Sequence, residues 1–242
     1  MKFLATCLGL FAFTGCGSSG GNIKLNPGKI QAARKVAVVG VCVQKVVGAL
    51  RGTKDVGIFD GNAAKLLLGP LVSSLNTSLA AQWSGVDVVP LAPSTEPATR
   101  PVGEHRLCVN DADPMTPGGY LGTADGAYLG AVATKLGVDA VLVVSGNVNV
   151  RLFSGRGAKA YVPSIGSGFE LTLVDRAGEE VAAIELKNFE TEYYIAAGTK
   201  DDGDATKMGE SLGKLVAQGF VAAVKGQPFN PPSRPGMSGL SF

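Results

Sequence analysis

The stretch VDAVLVVSGNVNVRLF, residues 138–153, decides the fold. From Val138 to Val144 it is apolar and rich in β-branched side chains, the pattern of a fully buried strand. From Asn147 onward polar and apolar residues alternate, so the strand continues with a changed environment. The run is far shorter than the ~20 apolar residues that a membrane-spanning helix needs. Immediately upstream, Tyr128, Leu129, Val132 and Leu136 share one helical face. Thr123 or Asp125 can cap that helix, and Gly137 stops it. A helix therefore feeds a buried strand.

Working outward, RKVAVVGVCVQ (34–44) has the same buried-strand character, with Val36, Val38 and the run to Val43. Leu67, Leu71, Leu75 and Leu79 recur every four residues, one stripe of a helix. Gly69-Pro70 interrupts that stripe, so the helix either kinks or begins there. GVDVVPL (85–91) reads as a short strand. Residues 92–119 hold five prolines and read as one long irregular connection, a length that is often functional in a compact domain. Beyond the deciding stretch, residues 154–168 are a Gly-rich excursion with hairpin potential. FELTLVDRAGEEVAAIEL (169–186) is a β-hairpin, with alternating Phe169, Leu171 and Leu173 and a turn at Asp175–Gly178. Met208, Leu212, Leu215, Val216, Phe220 and Val224 form the apolar stripe of a last helix. The order predicts an α/β fold: a single mixed β-sheet with a C-terminal antiparallel hairpin and helices packed on it.

The 242 residues, 45% hydrophobic, suffice for one sizeable core. A net charge of +2 leaves no electrostatic footprint for nucleic acid. The N-terminus is a separate signal. Met1-Lys2 is a short positive region and Phe3–Phe13 an apolar one of secretory-leader length. Phe13-Thr14-Gly15-Cys16 then resembles the bacterial lipobox, with Phe13 in the place usually held by Leu. The resemblance implies that residues 1–15 are a lipoprotein signal peptide and that Cys16 is acylated and becomes the mature N-terminus. Multiple buried acyl chains give stable membrane anchoring. Gly17, rather than Asp, after that cysteine implies outer-membrane sorting, with the body on the periplasmic face. Residues 16–33 read as a flexible Gly/Ser tether, residues 34–226 as the folded domain and residues 227–242 as a Pro-rich tail.

Three passages also resemble the CsgG, LpoB and TolB-N-terminal-like group of envelope proteins. They are the opening strand Val36–Val43 after a lipidated tether, the passage from Lys135 to Gly146, and the hairpin LTLVDRAGEEVAA (171–183) followed by a C-terminal helix. The resemblance implies a non-enzymatic assembly or accessory protein that binds other envelope proteins, with self-association among the group's habits. A periplasmic module for a small molecule or glycan, seated under the 92–119 connection, is the alternative. A pore would need long amphipathic hairpins; 41–60 and 147–168 are Gly-rich for that role.

No pattern points to catalysis, a metal or a cofactor, and the expectation is that the protein is not an enzyme. His105 is the single histidine and sits between Glu104 and Arg106 in the Pro-rich connection. Asp111 and Asp113 lack the remaining ligands and closing Glu of a calcium loop. Glu179-Glu180 read as a soluble hairpin tip. Cys42 and Cys108 remain after the leader and the lipobox, an even pair in an oxidising compartment. They form a disulfide, or Cys42 is a buried free thiol. Phe189, Tyr193 and Tyr194, among acidic neighbours, are the candidate partner contact; the alternative is a strand whose aromatics cover the core.

Overall fold

The fold is seen in a computed structural model that describes residues 22–47, 61–90, 106–109, 125–155, 158–165, 168–187, 189–190, 195–196 and 202–229. The leader, Cys16 and residues 230–242 of the tail lie outside the described residues. In chain order the elements are β1 (Ile23–Leu25), α1 (Pro27–Ala32), β2 (Lys35–Val47), α2 (Gly61–Gln82), β3 (Asp87–Pro90), β4 (Arg106–Val109) and α3 (Gly126–Leu136). Then follow β5 (Ala140–Gly155), β6 (Ala158–Ile165), β7 (Phe169–Asp175), β8 (Glu180–Leu186), β9 (Phe189–Glu190), β10 (Ile195–Ala196) and α4 (Asp202–Val224).

One mixed sheet runs in the order β1-β8-β7-β5-β2-β3. β2 lies parallel to both β5 and β3, as strands joined through helices do. β5–β7, β7–β8 and β8–β1 are antiparallel, the middle pair being the hairpin read from the sequence. The expected α/β sheet with helices on it is the architecture observed.

The two faces of β2 and β5 divide the core. Val36, Val38, Ala140, Leu142 and Val144 meet the Leu67/Leu71/Leu75/Leu79 stripe of α2 and Leu212, Val216 and Phe220 of α4. Ala37, Val39, Val141 and Val143 meet Leu129, Val132 and Ala133 of α3. Two-sided burial is why the deciding stretch begins as an unbroken apolar run. A register shift between Val38 and Gly40 resets the alternation, so Val41 returns to the α2/α4 side. Each fully buried Val, Leu or Phe among them, taken out of water, contributes about 1.5–3 kcal/mol.

Two stretches differ from the sequence reading, and a third is decided between its alternatives. Residues 23–32, read as tether, carry β1 and α1. β1 pairs with β8, and Asn26 caps α1 by accepting from the Lys29 N–H, with Pro27 in the first turn. The 92–119 connection contains β4, which pairs antiparallel with β2; the rest of it lies outside the described residues. α2 does not begin at Pro70: of the two readings, a start is excluded, since Pro70 lies inside the helix. Gly69 has no Cβ to clash with the proline ring, which removes part of the usual obstacle. Tertiary packing of the leucine stripe outweighs the rest of the ~3 kcal/mol that an interior proline costs. α3 follows expectation: Asp125 accepts from the Tyr128 N–H at 2.8 Å, and Gly137 closes the helix at φ 66°.

Charged groups tie the N-terminal elements to the sheet. Lys29 of α1 donates to Asp175 at 2.6 Å and to Glu179 across the β7–β8 turn. Asp139, just before β5, accepts from the N–H groups of Arg34 and Lys35, both at 3.0 Å, and pairs with Arg176 at 3.2 Å. The hydrogen bond from Arg34 chiefly holds the Asp139 carboxyl below its ordinary 3.8. Burial pushes Asp175 up, but Lys29 and the Glu179 N–H outweigh it, and the net direction is also down. A carboxyl lowered by folding contributes stability that is present above its unfolded value and lost as pH falls through the folded one. Urea unfolding at pH 7 and at pH 3 should therefore show acid weakening of the wild type. Asp139→Asn should cost about 1 kcal/mol at pH 7, the partly exposed ion pair adding little, and should shrink the difference between the two pH values. Equal pH dependence in both proteins would contradict this role for Asp139.

Candidate functional site

Two surfaces combine accessibility with recognisable chemistry. The first is a groove between α2 and α4. The helices touch where glycines replace side chains. A Cβ on Gly209 would stand 2.1 Å from the Leu67 carbonyl oxygen, and one on Gly213 would stand 2.2 Å from that of Leu71. Beside this crossing the helices part into an open groove of about 850 Å³. Ser73, Ser74, Thr77 and Ser78 line one wall, flanking the buried leucine stripe of the same helix; Lys207, Glu210, Ser211 and Lys214 line the other. The Ser74 hydroxyl donates to the Glu210 carbonyl at 2.7 Å, and Thr77 donates to the Ser73 carbonyl at 2.9 Å. Hydroxyl oxygens remain as acceptors, and two ammonium groups flank them. The lining suits a polar or anionic ligand and contains no aromatic ring for sugar stacking.

The second surface is a strand platform. β5 is 16 residues long, but only its first part, Ala140–Gly146, lies between β2 and β7. From Asn149 to Gly155 it pairs with β6, and β6 in turn pairs with β9 and β10. The alternation from Asn147, where the sequence pattern changes, thus marks where the strand passes from the main sheet into this extension. Among the described residues, no helix makes more than marginal contact with β6, β9 or β10.

The candidate residues from the sequence distribute as follows. Phe189 lies on β9, in register with Ile165 of β6, and Ile195 is in register with Tyr161. Tyr193 and Tyr194 lie outside the described residues, in the short link between β9 and β10. Of the three aromatic candidates, only Phe189 is placed, on a strand of the platform. Cys42 lies on β2, 2% exposed, with Cys108 of β4 directly opposite in the backbone register. His105, Asp111 and Asp113 lie outside the described residues. Glu179 is engaged by Lys29. No group of three or more His, Cys, Asp or Glu converges among the described residues, and no described helix is long and apolar enough to cross a membrane. The groove was missed in the sequence; its signal was the hydroxyl pairs Ser73/Thr77 and Ser74/Ser78 at helical spacing along the border of the leucine stripe.

No family model and no curated protein matches the chain. Among solved structures, lipoprotein GNA1162 from Neisseria meningitidis is similar at 16% identity and a TM-score of 0.35, over 76% of this chain and 98% of that one. A PelC dodecamer from Paraburkholderia phytofirmans is similar at 15% identity and a TM-score of 0.28, over 80% of this chain and 93% of that one. A point variant of that PelC, also a dodecamer, gives 16% identity and a TM-score of 0.25, over 80% of this chain and 97% of that one. Likenesses this loose carry no functional meaning for the chain.

Proposed function

We propose that the protein is an envelope lipoprotein, anchored by acyl chains on Cys16 at the periplasmic face of the outer membrane. Its role is that of a non-enzymatic assembly or accessory protein that binds other envelope proteins, with self-association as one form of that binding. The observation that supports the reading is the strand platform, where β5 outruns the helix-covered sheet and β6 pairs with β9, the strand of Phe189, and with β10. Phe and Tyr, the residue types of Phe189, Tyr193 and Tyr194, are enriched at protein contacts.

The test is affinity purification of the lipidated protein from envelopes, with partners identified by mass spectrometry. Phe189→Ala/Tyr193→Ala/Tyr194→Ala should reduce recovery of the main partner about tenfold, as loss of a contact hot spot does. No partner, together with monomeric behaviour in detergent, would overturn the assembly role. Cys16→Ser should move the protein to the soluble fraction; unchanged membrane association would refute the anchor.

The α2–α4 groove favours a second reading, a periplasmic module for a small molecule or glycan. Here the occupant would be read by hydroxyls and lysines rather than held beneath the 92–119 connection. Saturable binding of an acidic oligosaccharide, abolished by Ser73→Leu/Thr77→Leu while partner recovery is unchanged, would favour this reading over the first.

A further inference from the structure

We infer that Cys42 is bonded to Cys108, and that this disulfide is a latch holding β4 over the edge of β2. Cys42 is a disulfide cysteine in the fold, not a free thiol. Its Cα partner in the antiparallel β2–β4 ladder is Cys108, between the pairs Val41↔Val109 and Val43↔Leu107. Directly opposed residues of an antiparallel ladder have Cα atoms about 4.5–5.5 Å apart, inside the roughly 4.4–6.8 Å range that a disulfide accepts. The remaining cysteines, Cys7 and Cys16, both precede β1 in the sequence. Bond formation removes a proton and an electron from each of the two thiols. A second disulfide, on an oxidant of the thiol–disulfide exchange class, takes up both pairs and becomes two thiols.

The place of the bond gives it a role. β3 covers the edge of β2 from Lys35 to Val38, and β4 covers the next stretch, Val41 to Gln44. β4 has only four residues, and it is the one described element in the long connection between Pro90 and Gly126. Four ladder positions hold a strand weakly, and an uncovered strand edge invites pairing with another chain. The disulfide closes a long loop, where cross-linking constrains the unfolded chain most. It fixes the middle of that connection to the sheet and keeps the β2 edge closed for as long as the surroundings are oxidising.

Peptide mapping of the full-length protein, purified without reductant, should recover one species joining the Cys42 and Cys108 peptides, which separates on reduction. Alkylation of both thiols in the unreduced protein, or a link from Cys42 to another cysteine, would overturn the assignment. Reduction should lower the melting midpoint by roughly 5–10 °C, and Cys42→Ala/Cys108→Ala should remove that response to reductant. Hydrogen exchange on the reduced protein should speed up at Arg106–Val109 and Val41–Gln44 while β7 and β8 stay protected. Unchanged exchange at β4 after complete reduction would overturn the latch, even with the bond present.

Discussion

Gly213→Val is expected to destabilise the protein by about 3 kcal/mol or more, a large fraction of the stability of an ordinary domain. The Cβ at this position would lie 2.2 Å from the Leu71 carbonyl oxygen and 2.8 Å from the Leu75 N. Both are backbone atoms of α2, so no side chain can swing aside. α4 would have to move outward, pulling Met208, Leu212 and Val216 from the leucine stripe they share. Gly213→Ala meets the same backbone, and its helix-propensity gain of ~1 kcal/mol recovers only part of the loss. Gly28→Ala in α1 is the control: its Cβ would meet Asn26 Oδ1 at 3.8 Å, an ordinary contact, and stability should change by less than ~1 kcal/mol. Urea denaturation of the three variants gives the comparison. A Gly213→Val protein as stable as wild type would mean that the α2–α4 crossing is not as close as described.

Phe220→Ala should cost about 3–5 kcal/mol. Phe220 is fully buried on α4 and stands edge-on to Trp83, just after α2, with ring centroids 5.0 Å apart and planes at 72°. Truncation removes the ring's buried area, its aromatic contact and the filler of a closely packed site. Trp83 is the single tryptophan of the chain, so tryptophan fluorescence reports on this site. Emission of the folded Phe220→Ala protein should shift as the indole loses its partner, and the urea midpoint should fall. Phe220→Leu, which keeps most of the volume, should cost less. Equal midpoints for the Ala and Leu variants would show that volume is not what Phe220 supplies.

These two residues separate what a sequence displays from what it conceals. Phe220 belongs to a visible stripe, because burial on one helical face imposes a 3.6-residue period on the apolar residues. Gly213 lies in the same helix but reads there only as a weak helix former. Its value comes from the carbonyl of Leu71, more than a hundred positions earlier in the chain, and no local pattern encodes that meeting. The same holds for Lys29, whose carboxylate partners lie on the β7–β8 turn. Residues 23–32 have tether-like composition, yet three backbone pairings to β8 and that charge contact make them part of the sheet. β4 was hidden in a proline-rich connection because four residues are too few to show a period.

The sequence alone determined the elements whose environment repeats along the chain: the two buried strands Val36–Val43 and Val138–Val144, the three long helices, the 169–186 hairpin, and hence a mixed α/β sheet. Burial acts on each of these locally and leaves a periodic trace. Only the tertiary structure decided which edges and surfaces are left for function. It placed Cys108 opposite Cys42, carried β5 past the helices into a platform with β6, β9 and β10, and opened a hydroxyl-lined groove beside the glycine crossing. Those outcomes depend on pairings between residues far apart in the chain, which periodicity does not record.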